Sequence, residues 1–125
     1  MKARVVLILT LSLLLFSGCG RQHQSKVLIR NFLNENLVYG DISDDSYGKL
    51  DSTSLVTKSR IEKMHEVTRQ LPEFHPHIQY GVPTSTLMFV TVGYKITRND
   101  GKVSKYRQTF YMDKNLTEIV AFKNN

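Results

Sequence analysis

Residues 86–97 have the sequence TLMFVTVGYKIT, which predicts one long β-strand. Apolar side chains recur at every second position of this stretch, and two residues is the period of a strand. The first face of the strand carries Met88, Val90, Val92, Tyr94 and Ile96. Leu87, Phe89 and Thr91 take the opposite face.

The next five residues, RNDGK, predict a turn and therefore a hairpin. A three-residue loop with Gly101 in a left-handed bulge keeps the apolar faces of the two strands together. This register opposes Tyr94 to Tyr106, Val90 to Phe110 and Met88 to Met112. A two-residue loop would oppose Tyr94 to Arg107 and is disfavoured. A second turn at residues 113–115 leads to a last strand at residues 116–122, which is apolar on both faces and is predicted to be interior.

Two helices are predicted before these strands. The first covers residues 25–39, where apolar side chains recur at three- and four-residue spacing and Gly40 supplies a left-handed stop. After a polar connector, Ser59 and Glu62 form a capping box for a shorter helix that ends before Pro72. Helices followed by strands predict the α+β class, with one or two N-terminal helices packed on a curved antiparallel sheet of three to four strands.

The N-terminus has the features of a secretory signal. Lys2 and Arg4 precede twelve largely apolar residues, which are followed by Ser17, Gly18 and Cys19. Twelve residues of helix cover about 18 Å, well short of the roughly 30 Å of a bilayer core. We therefore expect this segment to be removed rather than to span a membrane.

The sequence LFSGC at residues 15–19 resembles the lipobox of bacterial lipoproteins, with Phe16 where an aliphatic residue is usual. The resemblance implies that Cys19 is acylated, with chains such as palmitate, and becomes the new N-terminus. The alternative is an ordinary signal peptide followed by an incidental cysteine. Because no Asp follows the cysteine, the same resemblance implies the outer membrane, and the lack of an acidic cluster after it implies a position that faces the periplasm. The expected divisions are a signal peptide at residues 1–18, a lipidated cysteine and short tether at 19–25, and a single domain at 26–125.

Composition and charge narrow the function classes. The 125 residues include 17 basic and 11 acidic side chains, and loss of the signal would remove Lys2 and Arg4 from the basic count. An extracytoplasmic protein with dispersed charge is not expected to bind nucleic acid. Lys102, Lys105 and Arg107 gather on the hairpin, where they either contact anionic lipid or cell-wall carboxylates or protect an edge strand.

The order of elements, with LDSTSLVT at residues 50–57 and FYMD at residues 110–113, resembles the nuclear-transport-factor-2-like and cystatin-like folds. Small lipoproteins of gut-type bacteria carry such domains. The resemblance implies a cone whose interior is either a ligand pocket or filled, and a sheet face often used for dimerisation. It implies no single activity, because this architecture hosts isomerases, dehydratases and adaptors.

An enzyme of this architecture would need an acid-base group and a hydroxyl donor inside the cone. The candidate pocket residues are His65, Tyr80, Tyr94 and Tyr106. Each has a structural alternative: His65 as a boundary residue of the second helix, and Tyr94 with Tyr106 as a packed aromatic pair. Glu118 is the one acid within the predicted strands after residue 86, so the sequence favours a protein without catalytic activity.

Metal and cofactor sites are not expected. The two histidines of HPH at residues 75–77 lack further ligands for zinc. Residues 41–45 imitate the opening of a calcium loop, but Ser46 stands where the glycine would be and Ser52 where the bidentate glutamate would be.

The second face of the long hairpin is the candidate interface, because it is too apolar for a solvated face and too rich in threonine for a deep core. The interface residues are Leu87, Phe89, Thr91, Thr109 and Tyr111. The sequence thus predicts a lipid-anchored binding module of the envelope, as a homodimer or with an envelope protein. Alternatives are a small-molecule pocket in the cone and an acid-base isomerase or dehydratase.

Overall fold

The computed structural model describes residues 20–39 and 41–125. The predicted signal peptide, Cys19 and the helix stop at Gly40 lie outside the described residues. In chain order the elements are helix α1 at residues 20–36, β1 at Ile42–Tyr47, β2 at Asp51–Thr53, α2 at Lys58–Arg69, β3 at Leu87–Thr97, β4 at Val103–Met112 and β5 at Ile119–Asn124. Two helices pack on an antiparallel sheet, which confirms the α+β class.

The β3–β4 hairpin forms the centre of the sheet and has the predicted register. Tyr94 lies opposite Tyr106, Val90 opposite Phe110 and Met88 opposite Met112. Gly101 adopts a φ of 84°, the left-handed region in which glycine carries no steric penalty. The three-residue loop is confirmed, because alternation on both strands and one glycine position fix the same pairing.

The sheet has the strand order β1-β3-β4-β5, and β2 pairs with β3 beside β1. The sequence predicted a polar connector where β1 and β2 lie. Ile42 is the buried side chain of β1, and a bulge between Ser43 and Ser46 holds Asp44 at a φ of 50°. These strands are held mainly by main-chain pairing with β3, which hydrophobic periodicity does not reveal.

β5 is the edge strand, so the prediction that it is interior is wrong. Residues 119–122 are all buried because helices cover the strand on two sides. Phe122 packs into the cluster that contains Phe32 of α1, and Ala121 packs with Ile61 of α2. Cover by helices therefore gives the apolar pattern that the sequence analysis attributed to a neighbouring strand.

Helix α1 extends to residue 20, so residues 20–25, which were expected to form the tether, are part of the folded domain. Ser25 is buried and its hydroxyl donates to the Gln22 carbonyl rather than starting the helix. Arg21 donates to the carbonyl of Lys114, and Gln24 donates to that of Leu116. These contacts tie the first turns of α1 to the β4–β5 turn.

Helix α2 begins two residues earlier than the predicted capping box implies. The Thr57 hydroxyl accepts a hydrogen bond from the Arg60 N–H at 3.2 Å, so Thr57 and not Ser59 is the N-cap. Ile61 and Thr68 are the buried residues of this helix. α2 thereby lies along the β5 edge of the sheet.

Candidate functional site

The space between α1 and the sheet, where a pocket would lie in a cone, is filled by side chains. Six of the side chains with no exposed surface are Ile29, Leu33, Val90, Val92, Phe110 and Phe122. The rings of Phe110 and Phe122 stack with centroids 5.2 Å apart. The centre of the domain is therefore a packed core.

Tyr94 and Tyr106 form the predicted aromatic pair, with centroids 5.4 Å apart. Tyr94 is buried, and its hydroxyl donates to Gln108 Oε1 at 2.6 Å. Gln108 Nε2 in turn donates to Asn124 Oδ1 at 2.7 Å. Burial, with a smaller contribution from Glu73, raises the pKa of Tyr94 well above its usual value. The Tyr94 hydroxyl therefore donates its hydrogen bond to Gln108 and is not free to donate to a ligand.

His65 and Tyr80 form a second pair, with their rings stacked at 4.0 Å. His65 Nε2 lies 2.7 Å from the Val120 carbonyl oxygen, and a carbonyl only accepts, so Nε2 carries the proton. The Tyr80 hydroxyl shares a 2.7 Å hydrogen bond with Thr68, and burial raises the pKa of Tyr80. A small cleft of about 220 Å³ lies beside this pair and is also lined by Arg69. No ion pair joins His65 to a carboxylate in the part of the chain that the structure describes.

The predicted interface is partly a surface and partly core. Phe89 and Tyr111 are half-buried neighbours with centroids 6.0 Å apart, and Thr91 beside them is half-buried too. Leu87 is only 1% exposed and packs in the cluster with Ile61, because α2 covers it. Thr109 is also buried, and its hydroxyl accepts a hydrogen bond from the Asn125 side-chain amide. The prediction that Leu87 and Thr109 form part of an exposed interface is therefore wrong, because both side chains are buried.

Four cations share this side of the sheet; Lys95 on β3 forms an ion pair with Asp44, and the other three lie on β4 and β5. Lys105 and Arg107 alternate with Tyr111 along β4, and Lys123 pairs with Thr109. All three are exposed, and none forms an ion pair within the described residues. We define the open face as Phe89, Thr91, Lys105, Arg107, Tyr111 and Lys123.

A hollow of about 410 Å³ lies on the open face beside Arg107. Gly93 forms its floor, and a Cβ there would lie 3.2 Å from Ser46 Oγ. The hollow therefore depends on the missing side chain of Gly93. The close approach of Ser46 explains why glycine occupies this position in the middle of β3.

A groove of about 310 Å³ runs between α2 and the end of β5. We define the α2–β5 groove by its lining residues, Val56, Arg60, Lys63, Met64, Val67, Tyr111, Phe122, Lys123 and Asn124. Sequence analysis did not find it. The available signal was the spacing of Arg60, Lys63 and Val67, which puts them on one face of α2.

Within residues 20–39 and 41–125, no three His, Cys, Asp or Glu side chains lie close enough to hold a metal ion. His75 and His77 are both exposed. None of the helices in the described part is long and apolar enough to cross a bilayer. Comparison with protein-family models, with curated proteins and with solved structures gave no match to this chain.

Proposed function

We propose that this chain is a non-catalytic binding module of the bacterial envelope that engages a protein partner through its open face. The observation that carries the proposal is the aromatic pair of Phe89 and Tyr111, at 6.0 Å, which lies beside α2 and stays partly exposed although Tyr111 packs against the cluster that contains Ile61. Aromatic side chains with little conformational freedom are typical anchors of protein interfaces.

The charges around the pair indicate the kind of partner. Lys123 pairs with Thr109 next to Tyr111 on this face, and Arg107 follows further along β4, whereas Asp51 of β2 lies opposite Phe89. Neither of these cations has an ion-pair partner among the described residues. Cations outnumber acids on this face, so a second copy laid directly on it would oppose mainly like charges, which is unfavourable. An envelope protein with an apolar centre and acidic residues around it fits better, and a homodimer is an outcome that the test distinguishes.

The location in the envelope is part of the proposal. Cys19 is the one cysteine of the chain and follows small residues. We propose that it is acylated and that the protein faces the periplasm from the outer membrane. Residues 20–25 are helical, so an acyl anchor on Cys19 would hold the domain close to the membrane surface instead of at the end of a loose tether.

Two alternatives find less support. A pocket in the cone would need free donors, but the Tyr94 hydroxyl is bonded to Gln108 and the space around it is packed. An acid-base enzyme would need a tuned group next to an accessible substrate site. His65 Nε2 is held by the Val120 carbonyl, and no carboxylate is paired with its ring in the described residues.

The test is site-specific photocrosslinking in living cells. Phe89→p-benzoylphenylalanine probes the open face, and Val27→p-benzoylphenylalanine, at an exposed position of α1, is the matched control. We expect an adduct from position 89, and not from position 27, that disappears when Arg107→Glu and Lys123→Glu are added. An adduct of twice the chain mass would replace the heterologous partner by a homodimer, and equal labelling at both positions would contradict the proposal.

A further inference from the structure

We propose that the α2–β5 groove binds an anionic amphiphile, a molecule with one aliphatic chain that ends in a carboxylate. This site goes beyond the proposed function, because it takes a small molecule instead of a protein; it shares Tyr111 and Lys123 with the open face, and its α2 residues Arg60, Lys63, Met64 and Val67 belong to the groove alone. A volume of about 310 Å³ is at the lower end of the range of ligand pockets, about 300–1,000 Å³.

The apolar part of the groove suits an aliphatic chain. Val56, Met64, Val67 and Tyr111 line it. Val67 is 53% exposed, although it projects from a helix that buries Ile61 and Thr68. Covering such a side chain with hydrocarbon removes apolar surface from water and contributes about 25 cal/mol per Å².

The cations of the groove suit an acidic head. Arg60, Lys63 and Lys123 line it, and no Asp or Glu does. The two acids of α2, Glu62 and Glu66, are not among the lining residues. None of the three cations has an ion-pair partner within the described part of the chain. Several positive charges beside low-dielectric walls attract an anion.

The start of α2 gives a second electrostatic reason. Its first turn contains Lys58 and Arg60 but no acidic residue. The positive end of a helix dipole favours acidic side chains, so this arrangement lowers helix stability. A bound carboxylate near Arg60 would offset that unfavourable charge.

The open edge of β5 presents main-chain N–H donors to the groove, alternating with carbonyl acceptors. The Asn125 N–H points to Arg107 O on β4, so alternation directs the N–H groups of Phe122 and Asn124 away from β4. Because the Phe122 side chain has no exposed surface, its contribution to the groove comes from its main chain. α2 covers the beginning of β5 through the His65 contact with Val120 but leaves this end open.

The test uses the full-length protein in isolated envelopes and a photoreactive fatty acid with a diazirine in a twelve-carbon chain. After irradiation, labelled peptides are mapped by mass spectrometry. We expect labels within residues 56–67, which belong to the groove and not to the open face, and competition by excess dodecanoate. The same chain ending in an alcohol should label at least fivefold less, because it lacks the charge.

Two variants test the two parts of the groove. Arg60→Glu with Lys63→Glu should reduce labelling at least fivefold, whereas Lys49→Glu with Lys102→Glu, at exposed positions elsewhere, should leave it unchanged. Val67→Glu should also abolish labelling, with Val27→Glu as the exposed control.

Three results would overturn the proposal: equal labelling by the alcohol, no effect of the groove variants, or displacement of the probe by an acidic peptide but not by dodecanoate. The groove variants change only Arg60, Lys63 and Val67 and leave every residue of the open face in place, including the shared Tyr111 and Lys123. Failure of this site is therefore distinguishable from failure of the open face.

Discussion

The Asp113 carboxylate organises the turn between β4 and β5. Its Oδ1 accepts from the N–H groups of Thr117 and Glu118, both at 2.8 Å, and its Oδ2 accepts from the Thr117 hydroxyl at 2.7 Å. Burial alone would raise the pKa of Asp113, but these hydrogen bonds outweigh it and hold the pKa below its usual value. The ionised form therefore stabilises the fold.

Asp113→Asn should lower the free energy of unfolding by about 1–2 kcal/mol at pH 7, because a charged acceptor is lost. The folded pKa is lower than the unfolded one, so the stabilisation is present above about pH 4 and is lost as the pH falls through the folded pKa. Urea denaturation between pH 7 and pH 2 measures this. A variant with the stability and acid sensitivity of the wild type, or an equal effect of Asp100→Asn, would contradict it.

The buried polar chain from Tyr94 through Gln108 to Asn124 makes a second prediction for single residues. Tyr94→Phe should cost about 1–3 kcal/mol, because Gln108 Oε1 loses its donor in the core. In a double-mutant cycle with Gln108→Leu, the two losses should be strongly non-additive. Additive losses would show that the 2.6 Å contact carries no coupling.

Sequence analysis placed Tyr94 opposite Tyr106 and facing inward, and the structure agrees. It did not find the role of Gln108, because a polar residue on an inward position could equally mark a pocket or an internal hydrogen bond. Only the packing of Phe110 and Phe122 around it distinguishes these alternatives. The same limit applies to His65, whose stacking on Tyr80 joins residues 15 positions apart in a way that no local pattern encodes.

At the scale of elements, two substitutions at the N-terminus of α2 distinguish the observed cap, Thr57, from the predicted cap, Ser59. Thr57→Ala should lower the free energy of unfolding by about 1 kcal/mol, because the Arg60 N–H loses its acceptor. Ser59→Ala, the cap that the sequence predicted, should change it by less than about 0.5 kcal/mol. Thermal or urea denaturation of the two variants is the measurement, and the reverse order of effects would refute the assigned cap.

The β3–β4 turn offers a matched glycine test. Gly101→Ala should destabilise the protein by about 1 kcal/mol, because alanine is strained at a φ of 84°. Gly101→Asn should cost less, since asparagine tolerates the left-handed region better. Equal stability of Gly101→Ala and the wild type in urea would contradict the three-residue loop.

Strong local signals made the central hairpin predictable: alternation on both strands and a glycine at the bulge. β1 and β2 were missed because their side chains are polar and their stability comes from pairing with β3. The α2–β5 groove was missed for a related reason, because it depends on where α2 docks along β5. Spacing predicts the face of a helix but not the strand beside it.

For the whole molecule, aspartate substitutions at Leu87 and Phe89, which are neighbours on one face of β3, should affect folding differently. Phe89→Asp changes a half-buried residue of the open face, so it should leave the fold intact and abolish partner binding. Leu87→Asp buries an unpaired charge beneath α2 and should unfold the domain, at a cost of several kcal/mol. Circular dichroism and the crosslinking assay measure both effects. Loss of fold in Phe89→Asp would remove it from the proposed interface.

The central claim is that the open face holds a protein partner in the envelope, and native mass spectrometry of the protein released from its own membranes tests it directly. We predict that the wild-type chain carries a second protein in fixed stoichiometry, and that Phe89→Asp yields the folded chain alone. A wild-type chain without a partner, or a complex that Phe89→Asp leaves intact, would contradict the claim.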